Sequence, residues 1–173
     1  IAVYVDHGIR TERYDDGEFV RHWCQTHGIR FVSMKLSLVV SELSNLESRA
    51  REARYDVLCQ IAHLHNASCI VTAHHQTDQS ETIMMRWLSG SSLTGLAGMQ
   101  VFSGDILRPF LSVSQDEILA YVHEYKIEWR EDSTNGDDSY RRNWLRNLIL
   151  PQIREKYPSL DSKMTGFAEY AQE

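Results

Sequence analysis

The sequence predicts an α/β fold, with a parallel, Rossmann-like sheet domain over residues 1–112 and a helical extension over residues 113–173. Short apolar runs at residues 1–6, 31–38 and 69–72 alternate with helical patterns long enough to cross over a sheet. Polar residues follow the first and third runs, and open α/β sheets hold their ligands at such strand ends. The rest of the chain is mainly helical in pattern.

The first strand and helix are delimited by polar residues and a glycine. The apolar run 1–6 stops at Asp6-His7-Gly8. A helix is predicted to begin near Asp15 and to end at Gly28, a residue common just after a helix C-terminus. The run 31–38 gives the second strand.

A long second helix is predicted from a capping box and an apolar face. Ser44-x-x-Glu47 is the capping box. The third strand, 69–72, leads into a further helix over 78–89 that Gly90 ends. The apolar residues of the long helix recur at spacings of three and four: Leu46, Ala50, Ala53, Val57, Ile61 and Leu64.

The second half contains a short segment at 106–110 and then helices. Ser114-x-x-Glu117 is another capping box, before a helix with Ile118, Val122 and Tyr125 on one face. Residues 131–140 are polar and rich in turn formers, which indicates a loop. A helical stretch at 143–150 meets Pro151, and the tail repeats an apolar face at Leu160, Met164, Phe167 and Ala171.

Parallel strands would place two distant polar segments together. The carboxyl ends of parallel strands share one edge of a sheet, so Asp6-His7 and the segment 72–74 are expected to face one crevice.

Composition limits the class of protein. No apolar run is long enough to span a bilayer, so no membrane partner is expected. Cys24, Cys59 and Cys69 are odd in number and form no C-x-x-C pair, which favours a reducing compartment, and we expect a cytoplasmic location. The net charge of −6 disfavours a general nucleic-acid binder. Two arginine clusters could still meet phosphate: Arg49, Arg51 and Arg54, and Arg141, Arg142 and Arg146.

Two carboxylates at the start of the third helix are the main candidates for chemistry. Asp78 and Glu81 are three residues apart and project from one face. They either stabilise the helix N-terminus or bind a cation, which could be a metal or a substrate amine. Glu81 lies in the second turn, where capping no longer explains it. His74 and His75 indicate a hydrogen-bonding polar site rather than a metal site, since no third ligand or H-E-x-x-H motif accompanies them.

Seven segments, in order over about residues 1–155, form a recognisable set of motifs. They are Val5-Asp6-His7-Gly8-Ile9-Arg10, Asn45-Leu46-Glu47 with Ala50-Arg51 and Arg54-Tyr55, Thr72-Ala73-His74-His75 with Asp78-Gln79 and Glu81-Thr82, Gly90 to Met99, Leu107-Arg108-Pro109, Glu131-Asp132-Ser133-Thr134-Asn135, and Arg142-Asn143 with Arg146. Together they resemble the tRNA(Ile)-lysidine synthetases, a family of PP-loop ATP pyrophosphatases with an adenine nucleotide alpha hydrolase-like fold.

The resemblance implies a reaction. Such enzymes use ATP to adenylate the wobble cytidine, C34, of a minor tRNA(Ile) with a CAU anticodon. The ε-amine of free L-lysine then displaces AMP to form lysidine. ATP with Mg²⁺ is the implied cofactor, tRNA(Ile) and lysine are the implied partners, and a homodimer is an open alternative to a monomer.

The resemblance also assigns residues. Asp78 and Glu81 would hold the lysine, while Arg54 and one of Arg142 or Arg146 would lie near the phosphates and the adenylate. We expect Asp78, Glu81, Arg54 and Arg146 to be the catalytic set. The remaining expected substrate- and nucleotide-binding residues are His7, Arg10, Arg51, His74, His75, Arg108, Arg142 and Asn143.

Two departures from the family pattern shape the expectation. The chain contains no Ser-Gly-Gly, although the family's S-G-G-x-D-S loop supplies the backbone N–H groups that cradle pyrophosphate. Thr77 stands where the family often has a second acid. This polypeptide is therefore expected to be an inactive fragment of such a ligase. The alternatives are a thiolation-type PP-loop enzyme, disfavoured by the unpaired cysteines, and a non-catalytic nucleotide- or protein-binding module.

Overall fold

The structure is a computed structural model that describes residues 1–6, 13–36 and 46–172. Three expectations lie outside the described residues: the placement of His7, that of Arg10, and the capping box at Ser44. The described elements are β1 (Ala2–Asp6), α1 (Arg13–Thr26), β2 (Phe31–Lys35), α2 (Leu46–Leu64), β3 (Ile70–Val71), α3 (Gln76–Leu88), α4 (Leu93–Leu96), β4 (Phe102–Ser103), β5 (Ile106–Leu107), α5 (Gln115–Glu124), a 3₁₀ turn (Ser133–Gly136), α6 (Arg141–Trp144), a π-helical turn (Leu145–Ile149), α7 (Leu150–Lys156) and α8 (Leu160–Gln172).

The chain divides into two compact units, residues 1–70 and 71–173. In the first unit β1 and β2 pair in parallel, from Ala2 opposite Phe31 to Asp6 opposite Lys35. The helix α1 connects them and packs on both. Two parallel strands need such a crossover, because the chain has to return to the starting edge of the sheet before the second strand begins, and a tight turn is too short for that. The predicted strand–helix–strand order is confirmed here.

Residues near the C-terminal end of α1, and buried residues of α2, show how the two helices fit in the first unit. Gly28 has φ +65°, a left-handed conformation that glycine adopts without strain, and α1 ends just before it. Cys24 on α1 is 1% exposed and belongs to the core. On α2, Ala50 and Ile61 are buried as expected, whereas Leu64, expected on the same face, is 75% exposed. It is the last residue of the helix, so its side chain extends past the packed surface.

The second unit contains a small sheet of order β3-β5-β4. The amide of Thr72 donates to the carbonyl of Leu107 at 3.0 Å, just past the ends of β3 and β5. The strands β4 and β5 form an antiparallel hairpin through a two-residue turn in which Gly104 has φ +57°. The sequence interpretation recognised a segment at 106–110 but missed this hairpin. Its signal was Gly104-Asp105 between two apolar pairs.

Helices dominate the rest of the second unit. Met84 on α3 packs with Leu145 and Leu150, both 0% exposed, in a core that Met85, Ile149, Ile153, Leu160 and Met164 extend. The run α6, π turn and α7 is continuous, and Pro151 lies in the first turn of α7, directly after the π turn. All described elements after residue 113 are helical. The predicted boundary between residues 112 and 113 stays a prediction.

No helix in the described ranges is both long enough and apolar enough to cross a membrane. The expected meeting of Asp6-His7 with the segment 72–74 also stays a prediction.

Candidate functional site

The start of α3 is built on His75 and Asp78. His75 is the N-cap residue, with extended backbone, and its amide donates to Asp78 Oδ2 at 3.0 Å. Its ring Nε2 lies 3.4 Å from the same oxygen, while its Nδ1 is buried without a hydrogen-bond partner in the described structure. The amide of Gln76 donates to the carbonyl of Val113 at 3.0 Å. One oxygen of Asp78 therefore completes a helix cap, which was one of the two roles the sequence left open.

The other oxygen of Asp78 and both oxygens of Glu81 accept hydrogen bonds from two arginines, Arg142 and Arg146. We call Asp78, Glu81, Arg142 and Arg146 the acid–arginine cluster. Arg142 donates from Nε to Glu81 Oε2 at 2.7 Å and from Nη2 to Asp78 Oδ1 at 3.1 Å. Arg146 donates from Nε to Glu81 Oε1 at 2.6 Å, and from Nη2 to Glu81 Oε2 at 2.9 Å and to Asp78 Oδ1 at 3.3 Å. Both carboxylates thus project to one side of α3, as their spacing predicts.

The charged side chains of the acid–arginine cluster are buried or partly buried. The Glu81 side chain is 0% exposed, and those of Arg142 and Arg146 are 27% and 32% exposed. A buried carboxylate needs a compensating charge, because transfer of an unpaired charge out of water is costly. Hydrogen bonding to Glu81 raises the pKa of the Arg146 guanidinium, against the lowering effect of burial, and the charges of Glu81 and Asp78 raise it further.

A π-helical turn follows α6 directly and contains the second of the two arginines, Arg146. The amide of Leu150 donates to the carbonyl of Leu145, five residues back instead of four. Leu145 and Leu150 both lie in the core with Met84 of α3, while Arg142 and Arg146, one helical turn apart, reach Asp78 and Glu81. Such π turns occur often at functional sites.

The cluster carries no net charge when its four groups are ionised, with two carboxylates against two guanidinium groups. The resemblance assigns Asp78 and Glu81 to a lysine amine, yet the described structure gives every oxygen of Glu81 an arginine N–H. In this state the pair stabilises α3 and the region of α6. An incoming ammonium has to share or replace an arginine.

A second set of contacts, missed by the sequence interpretation, fixes α3 against the segment Gly90–Met99. Gln79, 1% exposed, donates from Nε2 to the carbonyl of Met99 at 2.9 Å and accepts from its amide at 2.8 Å. Arg86 donates from Nη1 to the carbonyls of Gly95 and Gly98 at 2.8 and 2.9 Å. Gly98 has φ +67°, and a Cβ there would lie 2.7 Å from Gln79 Nε2. The Gly-rich motif is therefore the signal that could have revealed this anchor.

Three further predicted residues of the second unit have partners other than the acids. Thr72 Oγ1 and His74 Nδ1 share a hydrogen bond of 2.9 Å. Arg108 is 6% exposed and donates from Nη1 to the carbonyl of Gln100 at 2.9 Å, while its Nε is buried without a partner in the described ranges. Asn143 donates from Nδ2 to the carbonyl of Asp137 at 3.0 Å. Besides Arg142 and Arg146, the structure brings the predicted residue His75 to Asp78.

Of the predicted residues in the first unit, the two that the structure describes, Arg51 and Arg54, lie together on α2. The Arg51 guanidinium carbon is 5.2 Å from the centre of the Tyr55 ring. Burial lowers the pKa of Arg54, and the positive charge of Arg51 lowers it further. Two arginines in this state gain from a bound anion, which would offset their repulsion.

The described ranges contain no set of side chains arranged as a metal-binding site. No group of three His, Cys, Asp or Glu residues there is placed to hold a metal ion. Cys24 is buried, Cys59 is exposed and Cys69 is partly exposed, and all three are free thiols. In the described state every carboxylate oxygen of Asp78 and Glu81 accepts a hydrogen bond, so the acid–arginine cluster offers Mg²⁺ no open ligand.

A β-α-β unit, followed along the chain by a mainly helical second unit, defines an α/β protein. The family comparison agrees: residues 1–153 match the PP-loop domain. The chain belongs to the PP-loop domain family.

Curated relatives cover nearly the whole chain. The chain is 35% identical to a tRNA(Ile)-lysidine synthase of Histophilus somni over 98% of its length, and 33% identical to that of Bacillus subtilis over 98%. A relative of the same name from Hydrogenovibrio crunogenus is 32% identical over 99%. The chain spans 38 to 42% of the length of these three proteins.

A solved structure shares the fold. The U34-tRNA thiolase NcsA from Methanococcus maripaludis, solved with its [4Fe-4S] cluster, matches with a TM-score of 0.81 at 16% identity. The match covers 99% of this chain and 62% of that one. The predicted Rossmann-like fold class is confirmed by this likeness and by the family match.

Proposed function

We propose that the protein containing this chain ligates L-lysine to C34 of the minor tRNA(Ile) in an ATP-dependent reaction. ATP adenylates the cytidine oxygen with release of pyrophosphate, and the lysine amine then displaces AMP. A cytoplasmic location and action on tRNA with a CAU anticodon are parts of this proposal.

The observation that carries the proposal is that relatives with one and the same name align with nearly the whole chain. Proteins named tRNA(Ile)-lysidine synthase align over 98 to 100% of it at 32 to 35% identity. The lysidine-synthetase-like motifs also include the acid–arginine cluster, whose charged groups lie within 2.6 to 3.3 Å of one another. Carboxylates of this kind suit a substrate amine, and arginine forks suit phosphate oxygens.

Each part of the reaction has candidate residues. Asp78 and Glu81 are proposed to bind the lysine, with His75 holding Asp78 in place through its amide. Arg51 and Arg54 are proposed to bind ATP phosphate, because a bound anion would offset the repulsion between the two guanidinium groups. ATP supplies the adenylyl group when bound. His7, Arg10, His74, Arg108 and Asn143 stay predicted binding residues, Arg146 stays a predicted catalytic residue, and Mg²⁺ stays a predicted cofactor.

The test is a lysine-incorporation assay with the full-length gene product, ATP, radiolabelled L-lysine and a tRNA(Ile) transcript. We expect label in the tRNA that depends on ATP, together with release of pyrophosphate. The matched control is the same transcript with U34 in place of C34, which should take up no label. Absence of lysine-dependent labelling with the C34 transcript would remove this function.

A thiolation-type activity is the second candidate, since a tRNA thiolase shares the fold. At 16% identity that likeness concerns the fold alone. The same transcript assay run with a sulfur donor separates the two enzymes, because only a thiolase would add sulfur to the tRNA. A protein whose coding sequence carries no S-G-G-x-D-S motif and that adds neither group would instead fit the non-catalytic binding module.

A further inference from the structure

We propose that Arg142 occupies the position of the substrate ammonium and leaves it when lysine binds, whereas Arg146 stays. Arg142 would then be an internal competitor that sets the affinity for lysine. This inference rests on the proposed function, since it requires lysine to bind at Asp78 and Glu81.

The charges of the cluster require an exchange. Two carboxylates already face two guanidinium groups, so adding an ammonium would give this partly buried group of side chains a net positive charge. Replacing one arginine with one ammonium keeps the sum at zero. The hydrogen bonds lead to the same conclusion, because Asp78 Oδ1 and Glu81 Oε2 each accept from both arginines.

Of the two arginines, Arg142 is held in the more replaceable way. It gives one hydrogen bond to each acid, 2.7 Å to Glu81 and 3.1 Å to Asp78. An ammonium has three N–H donors and can make the same two bonds from one nitrogen atom. Arg142 therefore bridges the acids much as an ammonium would.

Arg146 is fixed more firmly. Its Nε and Nη2 grip both oxygens of Glu81 at 2.6 and 2.9 Å, a two-point fork that an ammonium cannot reproduce. Its backbone lies in the π turn directly after Leu145, which is 0% exposed in the core. We therefore assign Arg146 as the resident partner of Glu81.

Equilibrium binding of L-lysine to the full-length protein, with tRNA and a non-hydrolysable ATP analogue present, tests the exchange. Arg142→Gln leaves the acids with one surplus negative charge, so the Kd for lysine should fall at least about fivefold. Arg142→Lys keeps a cation there and should stay near the wild-type Kd. Arg141→Gln, at an exposed neighbouring arginine, is the matched control and should leave the Kd unchanged.

A second measurement uses the wild-type protein, so it tests the exchange even if the Arg142→Gln variant misfolds. Phenylglyoxal modifies accessible arginines, and peptide mass spectrometry can follow each site. Saturating L-lysine should speed the modification of Arg142 and leave that of Arg146 slow. An unchanged or slower rate at Arg142, or a Kd that rises in Arg142→Gln, overturns the exchange. If the wild type still incorporates lysine in that case, the proposed function stands and only the exchange fails.

Discussion

The hydrogen bonds of Glu81 predict a large cost for removing its charge. Glu81→Gln keeps the size of the side chain, but it replaces one acceptor oxygen with an NH₂ group that faces arginine donors. Three charge-assisted hydrogen bonds of 2.6 to 2.9 Å end on this carboxylate, which is 0% exposed. Removing one partner of a buried ion pair costs about 3–5 kcal/mol. The two arginines are partly exposed and can regain water, so the lower end, about 3 kcal/mol, applies.

Hydrogen exchange measured by mass spectrometry on the full-length protein gives the local readout. About 3 kcal/mol corresponds to roughly a hundredfold faster exchange for amides whose exchange requires opening of the cluster. Peptides covering α3 and the run α6 to α7 should show this acceleration. Glu155→Gln, the same chemical change at an ion pair whose side chains are 74% and 73% exposed, is the matched control and should change exchange little. Equal effects of the two substitutions would refute the reasoning.

Three further predictions concern the anchor of α3, the acid dependence of α8 and the activity of the isolated chain. Gly98→Ala should destabilise the second unit by about 2 kcal/mol because its Cβ meets Gln79 at positive φ, whereas Gly166→Ala, in open space on α8, should be neutral or stabilising in the same denaturation measurement. Burial alone would raise the pKa of Asp161, but hydrogen bonds from Arg154 and Ser80 and nearby positive charge lower it below the ordinary 3.8. The stability from this carboxylate is thus present above pH 3.8 and lost as the pH falls further, and Asp161→Asn should lessen the acid sensitivity of unfolding curves, while an unaltered curve would contradict the ion pair. A polypeptide of residues 1–173 should release no pyrophosphate from ATP, lysine and tRNA, since it contains no Ser-Gly-Gly, and measurable release would show that another segment binds the pyrophosphate.

Local patterns predicted the elements that depend on neighbouring residues. The parallel pair β1–β2 with α1 between them followed from apolar runs separated by a helical period. The capping box at Ser114 and Glu117 is present, with the Ser114 amide donating to Glu117 at 2.9 Å. Spacing of three residues also placed Asp78 and Glu81 on one face. In each case the information lies within a few residues of the chain.

The local sequence patterns did not predict side-chain contacts between residues that are far apart in the sequence. The arginines that reach Glu81 come from 61 and 65 residues away, and nothing near Asp78 or Glu81 in the sequence indicates them. Gln79 also looked like an ordinary polar helix residue, although the structure buries it against Met99, 20 residues on. Gly98, which precedes Met99 in the motif, is glycine because the chain has positive φ there and passes close to the Gln79 side chain.

The sequence by itself determined the β1–α1–β2 unit, the longer helices, the family resemblance and the pair of carboxylates, because periodicity and motif spacing are local properties. The tertiary structure alone decided what those carboxylates meet. A buried acid selects its counter-charge by packing, and here α6 presents Arg142 to Glu81 and the π turn after it presents Arg146. A pair that looked ready for an amine is therefore neutralised by the protein's own guanidinium groups.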